Sequence, residues 1–198
     1  MELSIRSRVG RDVKEDLESA AELRIAVFRE FPYLYEGDRV AELGYLAAYV
    51  DVPAAIFVIA EVGGRAVGVS TGLPLADADE AFRAPFVAAG LEPAEWFYCG
   101  ESVLEVAWRG RGAGHRFFDL REAHARALGF RQVCFCAVER ASDHPLRPAG
   151  YRGNEAFWSK RGYRRRPELR ASFAWRQVDS GGLEVVNELV FWCRDLEA

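Results

Sequence analysis

The stretch "VAWRGRGAGHRFFDLREAHARALGF", Val106 to Phe130, decides the fold. It leaves an apolar run, crosses Arg109-Gly110-Arg111-Gly112-Ala113-Gly114 and enters an amphipathic helix. Glycines weaken a helix, each by roughly 0.5–1 kcal/mol relative to alanine when placed inside it. Bare backbone at this point therefore needs a reason. A helix N-terminus offers unpaired N–H groups and a partial positive charge. With no Cβ at 110, 112 and 114, a bulky phosphate can reach those amides, and Arg109 and Arg111 add full positive charge. The stretch reads as a strand–turn–helix that cradles a phosphate or pyrophosphate. No Gly-Lys-Ser/Thr follows, and a G-x-G-x-x-G would need glycine where His115 stands, so two familiar phosphate-binding signatures fail. The helix should run to about Leu128. Its apolar stripe reads as Ala113, Phe117, Leu120, His124, Ala127 and Leu128, with Arg116, Asp119, Glu122 and Arg126 opposite.

Outward from there, the elements alternate. "ELSIRSRV" reads as a first strand. Asp12 to Phe31 reads as a helix closed by Pro32, with Val13, Leu17, Ala20, Ala21, Val27, Phe28 and Phe31 on one stripe. Arg24 shares that stripe and reads as a paired, partly buried arginine. Asp38 can cap a second helix to about Tyr49. "AAIFVIAEV", Gly63-Gly64 and "RAVGVSTGLPL" form a hairpin. A helical insertion at about 77–90 should break at Pro85. "EWFYCGESVLEVAW" is a long apolar strand with two acids, and "QVCFCAV" is the strand after the glycine-led helix. A proline-rich loop leads to a short helix at Asn154–Lys160, and two strands close the chain around Ser180-Gly181-Gly182. The result is an α/β single domain over 1–198, a mixed sheet with helices on both faces.

Composition narrows the function. The 198 residues are half hydrophobic and 28% charged, with a net charge of −4. That balance excludes a typical nucleic-acid binder. No apolar run is long enough to span a membrane, and no signal peptide is evident, so a cytoplasmic protein is expected. Cys99, Cys134, Cys136 and Cys193 lack C-x-x-C spacing and read as reduced, buried thiols. With only His115, His124 and His144, no metal site is expected; His124 reads as core-facing.

Arg109-x-x-Gly112-x-Gly114, after an apolar strand and before a helix, resembles the pyrophosphate-binding motif of the GNAT N-acyltransferases. "AFWSKRGYRRR", Ala156–Arg166, is similar to a late stretch of the same family, and the element order agrees over nearly the whole chain. The resemblance implies a mostly antiparallel sheet whose two central parallel strands splay, with acetyl-CoA in the gap as co-substrate. It implies that Ser102, Val103 and Leu104 pair with the pantetheine arm. It also implies that Arg109, Gly110, Arg111, Gly112, Ala113, Gly114 and His115 hold the pyrophosphate. The expected reaction is direct acetyl transfer to a primary amine, small molecule or peptide; the alternative is a non-catalytic acyl-CoA-binding module. Oligomeric state stays open, with a homodimer among the possibilities.

Such a transfer needs a deprotonated amine. An alkyl ammonium lies ~3.4 units above neutral pH, a cost of about 4.6 kcal/mol. Glu101, in an otherwise apolar strand, is the first candidate base, since desolvation disfavours the ionised form. Glu105, on the same face by period-two counting, and Glu139, at the end of the next strand, are the others; a water relay is a further route. The family's usual tyrosine acid falls at Trp158, whose indole cannot give up a proton but can pack at the thiol end. Tyr151 stands nearby as a substitute. Phe31, Tyr33, Tyr35, Glu36 and Asp38 fall where the family lines its acceptor pocket. Asp143-His144 has the form of an acid–base pair, and "GYRRRPELR" of either a solvated turn or a contact to the 3′-phosphate.

Overall fold

The computed structural model of the chain describes residues 2–196. Seven strands form one sheet in the order β1-β2-β3-β4-β5-β7-β6. They are β1 (Leu3–Val9), β2 (Ile56–Val62), β3 (Arg65–Pro74), β4 (Trp96–Leu104), β5 (Gln132–Val138), β6 (Arg164–Arg176) and β7 (Glu184–Asp195). Every neighbouring pair is antiparallel except β4–β5. The helices are α1 (Leu17–Phe28), α2 (Arg39–Ala47), α3 (Glu80–Ala88), α4 (Ala113–Ala127) and α5 (Glu155–Lys160). Helices α1, α2 and α3 pack on one sheet face, over Phe57, Ile59, Tyr98, Val103 and Phe191. Helices α4 and α5 pack on the other, over Phe97, Cys99, Val133, Phe135 and Trp192. Among the described residues no helix is long and apolar enough to cross a membrane.

The central parallel pair positions the site. β4 and β5 pair only from Trp96↔Gln132 to Tyr98↔Cys134. Beyond that each strand follows its outer partner, β4 beside β3 to Leu104 and β5 beside β7 to Val138, so the two part company. A β-bulge marks the divergence. Gly72 pairs with Cys99 and Ser70 with Ser102, leaving Gly100 and Glu101 opposite Thr71 alone. An inserted residue bends a strand and changes which face its side chains take. Phe97 and Cys99 face α4, whereas Glu101 and Val103 face α1. Glycine is required at 100, where a Cβ would strike the Thr71 and Tyr49 hydroxyls.

Several local readings need correction. A 3₁₀ segment, Gly10–Asp16, precedes α1, which ends at Phe28 rather than at Pro32. Helix α3 runs straight through Pro85. Asp79 caps its first turn, and burial of Phe82 and Phe86 on the sheet outweighs one lost backbone hydrogen bond. "RRRPELR" is not a turn but the start of β6, with a bulge between Arg166 and Arg170 that accommodates Pro167. The buried face of α4 is Ala113, Phe117, Phe118, Arg121, Glu122 and Ala125, while Leu128 is exposed. The stripe misled because two charged residues are buried there, each with polar partners.

Candidate acyl-CoA site

A cavity of about 1110 Å³ fills the space between the parted strands. At one end lies the glycine turn. Gly110 and Gly112 have φ of +74° and +86°, a left-handed backbone that side chains disfavour. A Cβ at either would project into open space. Gly112 is the N-cap of α4 with no capping side chain, and the first helical bond ending on it comes from the Arg116 amide. The amides of Ala113, Gly114 and His115 therefore have no partner inside the helix. Gly110, Gly112, Gly114 and His115 line the cavity, so the backbone is open where an anionic diphosphate would sit.

The arginines of this motif are both engaged by the protein itself. Arg109 lines the cavity, yet its Nε donates to the Leu104 carbonyl at 3.0 Å and its Nη2 pairs with Glu30 at 2.9 Å. Arg111 stacks on the Trp108 ring, 4.7 Å from its centroid. His115 Nδ1 is 3.3 Å from Arg161 Nη1, and Ala113 is buried in the core.

Along β4, the Glu105 amide donates to the Val67 carbonyl of β3. By strand alternation the Leu104 and Ser102 amides point to the other side, the side β5 has left. Ser102 and Leu104 line the cavity, whereas the Val103 side chain is fully buried among the α1 face residues.

At the bulge, Glu101 is buried, its side chain 3% exposed. Arg24 Nη1 holds Oε2 at 2.7 Å, while Oε1 has no hydrogen-bond partner. The carboxylate is desolvated as expected, and Arg24 reaches in from α1 to supply its counter-charge. Arg24 also grips Glu42 of α2 and lies over the Phe28 and Tyr45 rings. Burial alone would lower its pKa; Glu101, Tyr45 and Glu42 outweigh it and raise it. Sequence reasoning found Arg24 as a paired arginine but missed Glu42, which lies on a separate helix.

The rival glutamates are engaged. Glu105 lies outside the cavity lining and is hydrogen-bonded by Arg65, which lowers its pKa. Glu139 lines the cavity. Burial would raise its pKa, but hydrogen bonds from Arg165 and Arg170 prevail and lower it. Both are therefore weaker proton acceptors than free glutamates.

On the far wall, Trp158 packs edge-on to Phe135 and Trp192. Tyr151 meets Phe31 edge-on at 4.7 Å between ring centroids, and burial raises its pKa. Phe31 and Tyr33 line the cavity; Tyr35 packs on Trp175 and bridges to Gln177 instead. Burial holds the Tyr33 phenol well above its ordinary pKa. Arg140 ties the loop after β5 to this turn through the Pro32 and Tyr33 carbonyls. Asp143 and His144 form no hydrogen bond or ion pair with each other among the described residues, and His144 Nδ1 accepts from the Leu146 amide. His124, half-buried, lies 2.9 Å from the Ala54 carbonyl. Cys136 lines the cavity, and burial pushes its thiol up to about 12. Among the described residues no group of three or more His, Cys, Asp or Glu is placed to hold a metal ion.

A mostly antiparallel sheet that opens between its two parallel strands, with a glycine-led helix at the mouth, defines the GNAT N-acetyltransferase fold, and the chain has it. No family model and no curated protein matches the sequence. Many solved structures match the fold, three of them as follows. The N-acetyltransferase from Staphylococcus aureus matches at TM-score 0.60 and 14% identity, over 98% of this chain and 99% of its own. The yncA protein of Salmonella typhimurium, solved with its cofactor acetyl-CoA, matches at 0.59 and 15%, over 100% and 96%. An acetyltransferase of the GNAT family from Streptococcus pneumoniae matches at 0.57 and 13%, over 99% and 100%.

Proposed function

We propose that the chain is an N-acetyltransferase that moves an acetyl group from acetyl-CoA to a primary amine by direct transfer. One observation carries this reading: the open helix start of α4 and Glu101, whose buried Oε1 has no hydrogen-bond partner, line the same cavity. The first suits an anionic diphosphate and the second suits an ammonium proton. The cradle fits the cofactor because nothing of the protein occupies the space above Gly110 and Gly112. The amides at 113–115 hold the diphosphate. The outward amides of Ser102 and Leu104 align the extended arm and supply donors for the carbonyl oxygen. Glu101 Oε1 takes the amine proton, directly or through one water, while Arg24 fixes the other oxygen. Holding amine and thioester in one narrow opening supplies further rate by proximity. Phe28, Phe31 and Tyr33 supply an apolar and aromatic wall for the body of the acceptor.

The test is release of free thiol from acetyl-CoA over a panel of small-molecule and peptide amines. Turnover with at least one amine is expected. Binding of CoA without turnover would instead support the acyl-CoA-binding module, a reading prompted by Trp158. Failure to bind CoA would overturn both.

A further inference from the structure

The largest fully buried side chain is that of Arg121, 1% exposed, on the third turn of α4. It forms no salt bridge among the described residues; its partners are carbonyls. Its Nη1 donates to Thr71 O at 3.1 Å and Glu101 O at 3.4 Å, and its Nε to Phe117 O at 3.3 Å. Its guanidinium lies 4.9 Å from the Phe118 ring centroid, and the residue lines the cavity between the parted strands. Taking a charge out of water costs several kcal/mol per ion unless it is compensated. Neutral carbonyls compensate only in part. The bulge needs a donor for those carbonyls, but a neutral side chain could supply one. The full charge is the feature left to explain.

Its position suggests the explanation. Glu101 O belongs to the bulge where β4 leaves β5. The Glu101 carboxylate lies on the face of α1, and Arg121 reaches the same bulge from α4 on the opposite face. The opening is thus flanked by an anion on one side and an uncompensated cation on the other. Resting on the acetyltransferase reading above, we propose that Arg121 stabilises the negative charge that collects on sulfur as the acetyl group leaves the CoA thiol. In that step the bond from amine nitrogen to carbonyl carbon forms and the carbon–sulfur bond breaks. The electron pair stays on sulfur, and the amine proton goes to Glu101 or to water. The thiol can then depart as thiolate without a proton donor, which suits a wall made of Trp158 rather than a phenol. A neighbouring sulfur already feels this field: burial raises the Cys99 thiol, and Arg121 is the foremost group pulling it back down.

Other charged and titratable groups surround Arg121. Glu122 follows it on α4, saturated by Tyr163, Arg161 and Arg194. Arg161 lies near the same Phe118 ring but is paired with Asp119 and Glu122. Tyr163 and Cys99 stay neutral through burial. Across β4, Glu101 is paired with Arg24. Arg121 is therefore the cation in this group that no carboxylate holds.

The test is spectroscopic and needs no turnover. CoA with its free thiol is bound to the whole chain and titrated by the ultraviolet absorbance of the thiolate. The bound thiol should ionise at least about one pH unit below that of free CoA. Arg121→Lys should keep much of this shift and Arg121→Gln should remove it. If CoA raises the melting temperature of the wild-type protein but its thiol titrates as it does free in solution, the inference fails without recourse to any variant. A shift that persists in folded, CoA-binding Arg121→Gln would equally overturn it. Absence of any CoA binding would strike the acetyltransferase reading instead.

Discussion

Glu101 and Glu122 are both buried acids, 7% and 3% exposed, one on each side of the open strand pair. Their surroundings differ sharply. Both Glu122 oxygens are used: Oε1 by the Tyr163 hydroxyl at 3.1 Å and by Arg161, Oε2 by Arg194 at 2.9 Å. Glu101 has one oxygen tied by Arg24 and the other without a partner. A saturated buried carboxylate knits α4 to the end of α5 and to β7. A half-saturated one keeps a lone pair for chemistry at the expense of stability. Burial alone does not separate the two roles; the count of satisfied lone pairs does.

This contrast can be broken experimentally. Glu101→Gln should lower the transfer rate by about 10²–10⁴-fold near neutral pH, the usual contribution of a general base. The loss should shrink toward about pH 9, where more of the amine is free of its proton. The fold should barely notice, with a stability change of about 1 kcal/mol or less, since an amide can still accept from Arg24. A rate–pH profile and a denaturant melt on the same sample check both halves. Glu122→Ala should do the reverse. Two arginines and a phenol lose their shared acceptor, so stability should drop by about 3–5 kcal/mol with little effect on the rate per folded molecule. Equal losses of rate and stability in both variants would erase the distinction.

Gly112→Asp tests the other end of the cavity. A side chain forced into the left-handed region, and a carboxylate placed where an anion belongs, should weaken CoA binding on the order of 100-fold or more. Calorimetric titration with CoA reads this directly, and unchanged affinity would remove the glycine turn from the site.

The smallest effect concerns Glu139. Its folded pKa lies below its unfolded one because Arg165 and Arg170 hold the ionised form. This stabilisation is therefore present above the ordinary value of 4.5 and fades as pH falls through the lowered folded value. The melting temperature of Glu139→Gln should trail the wild type at neutral pH and converge with it in acid. A gap that widens on acidification would contradict the ion pairs.

Much of this was legible in the chain. Gly110, Gly112 and Gly114 announced an open helix start because bare backbone there has few other uses. Asp38 announced its cap, and its side chain does accept from the Ala41 amide. Glu101 stood out as an acid in an apolar strand. The partners were not legible. Arg24, Glu42 and Glu101 lie on three elements, and only the packing of α1 and α2 on the sheet brings them together. Arg121 and Glu122 were hidden for a related reason. A helical wheel assigns charge to solvent, and it cannot foresee carbonyls freed by a bulge or arginines arriving from Arg161 and Arg194. The basic run that opens β6 read as a turn because Pro167 interrupts a strand that resumes past its bulge.

The four cysteines of the chain have a practical consequence. All are free, three are buried, and burial raises the thiol of each, to about 12 for Cys136 and Cys193. Alkylating and disulfide reagents attack thiolates, so these side chains stay inert at working pH. A colorimetric thiol reagent added to the native protein should give almost no background, and any colour that grows with time would belong to the product.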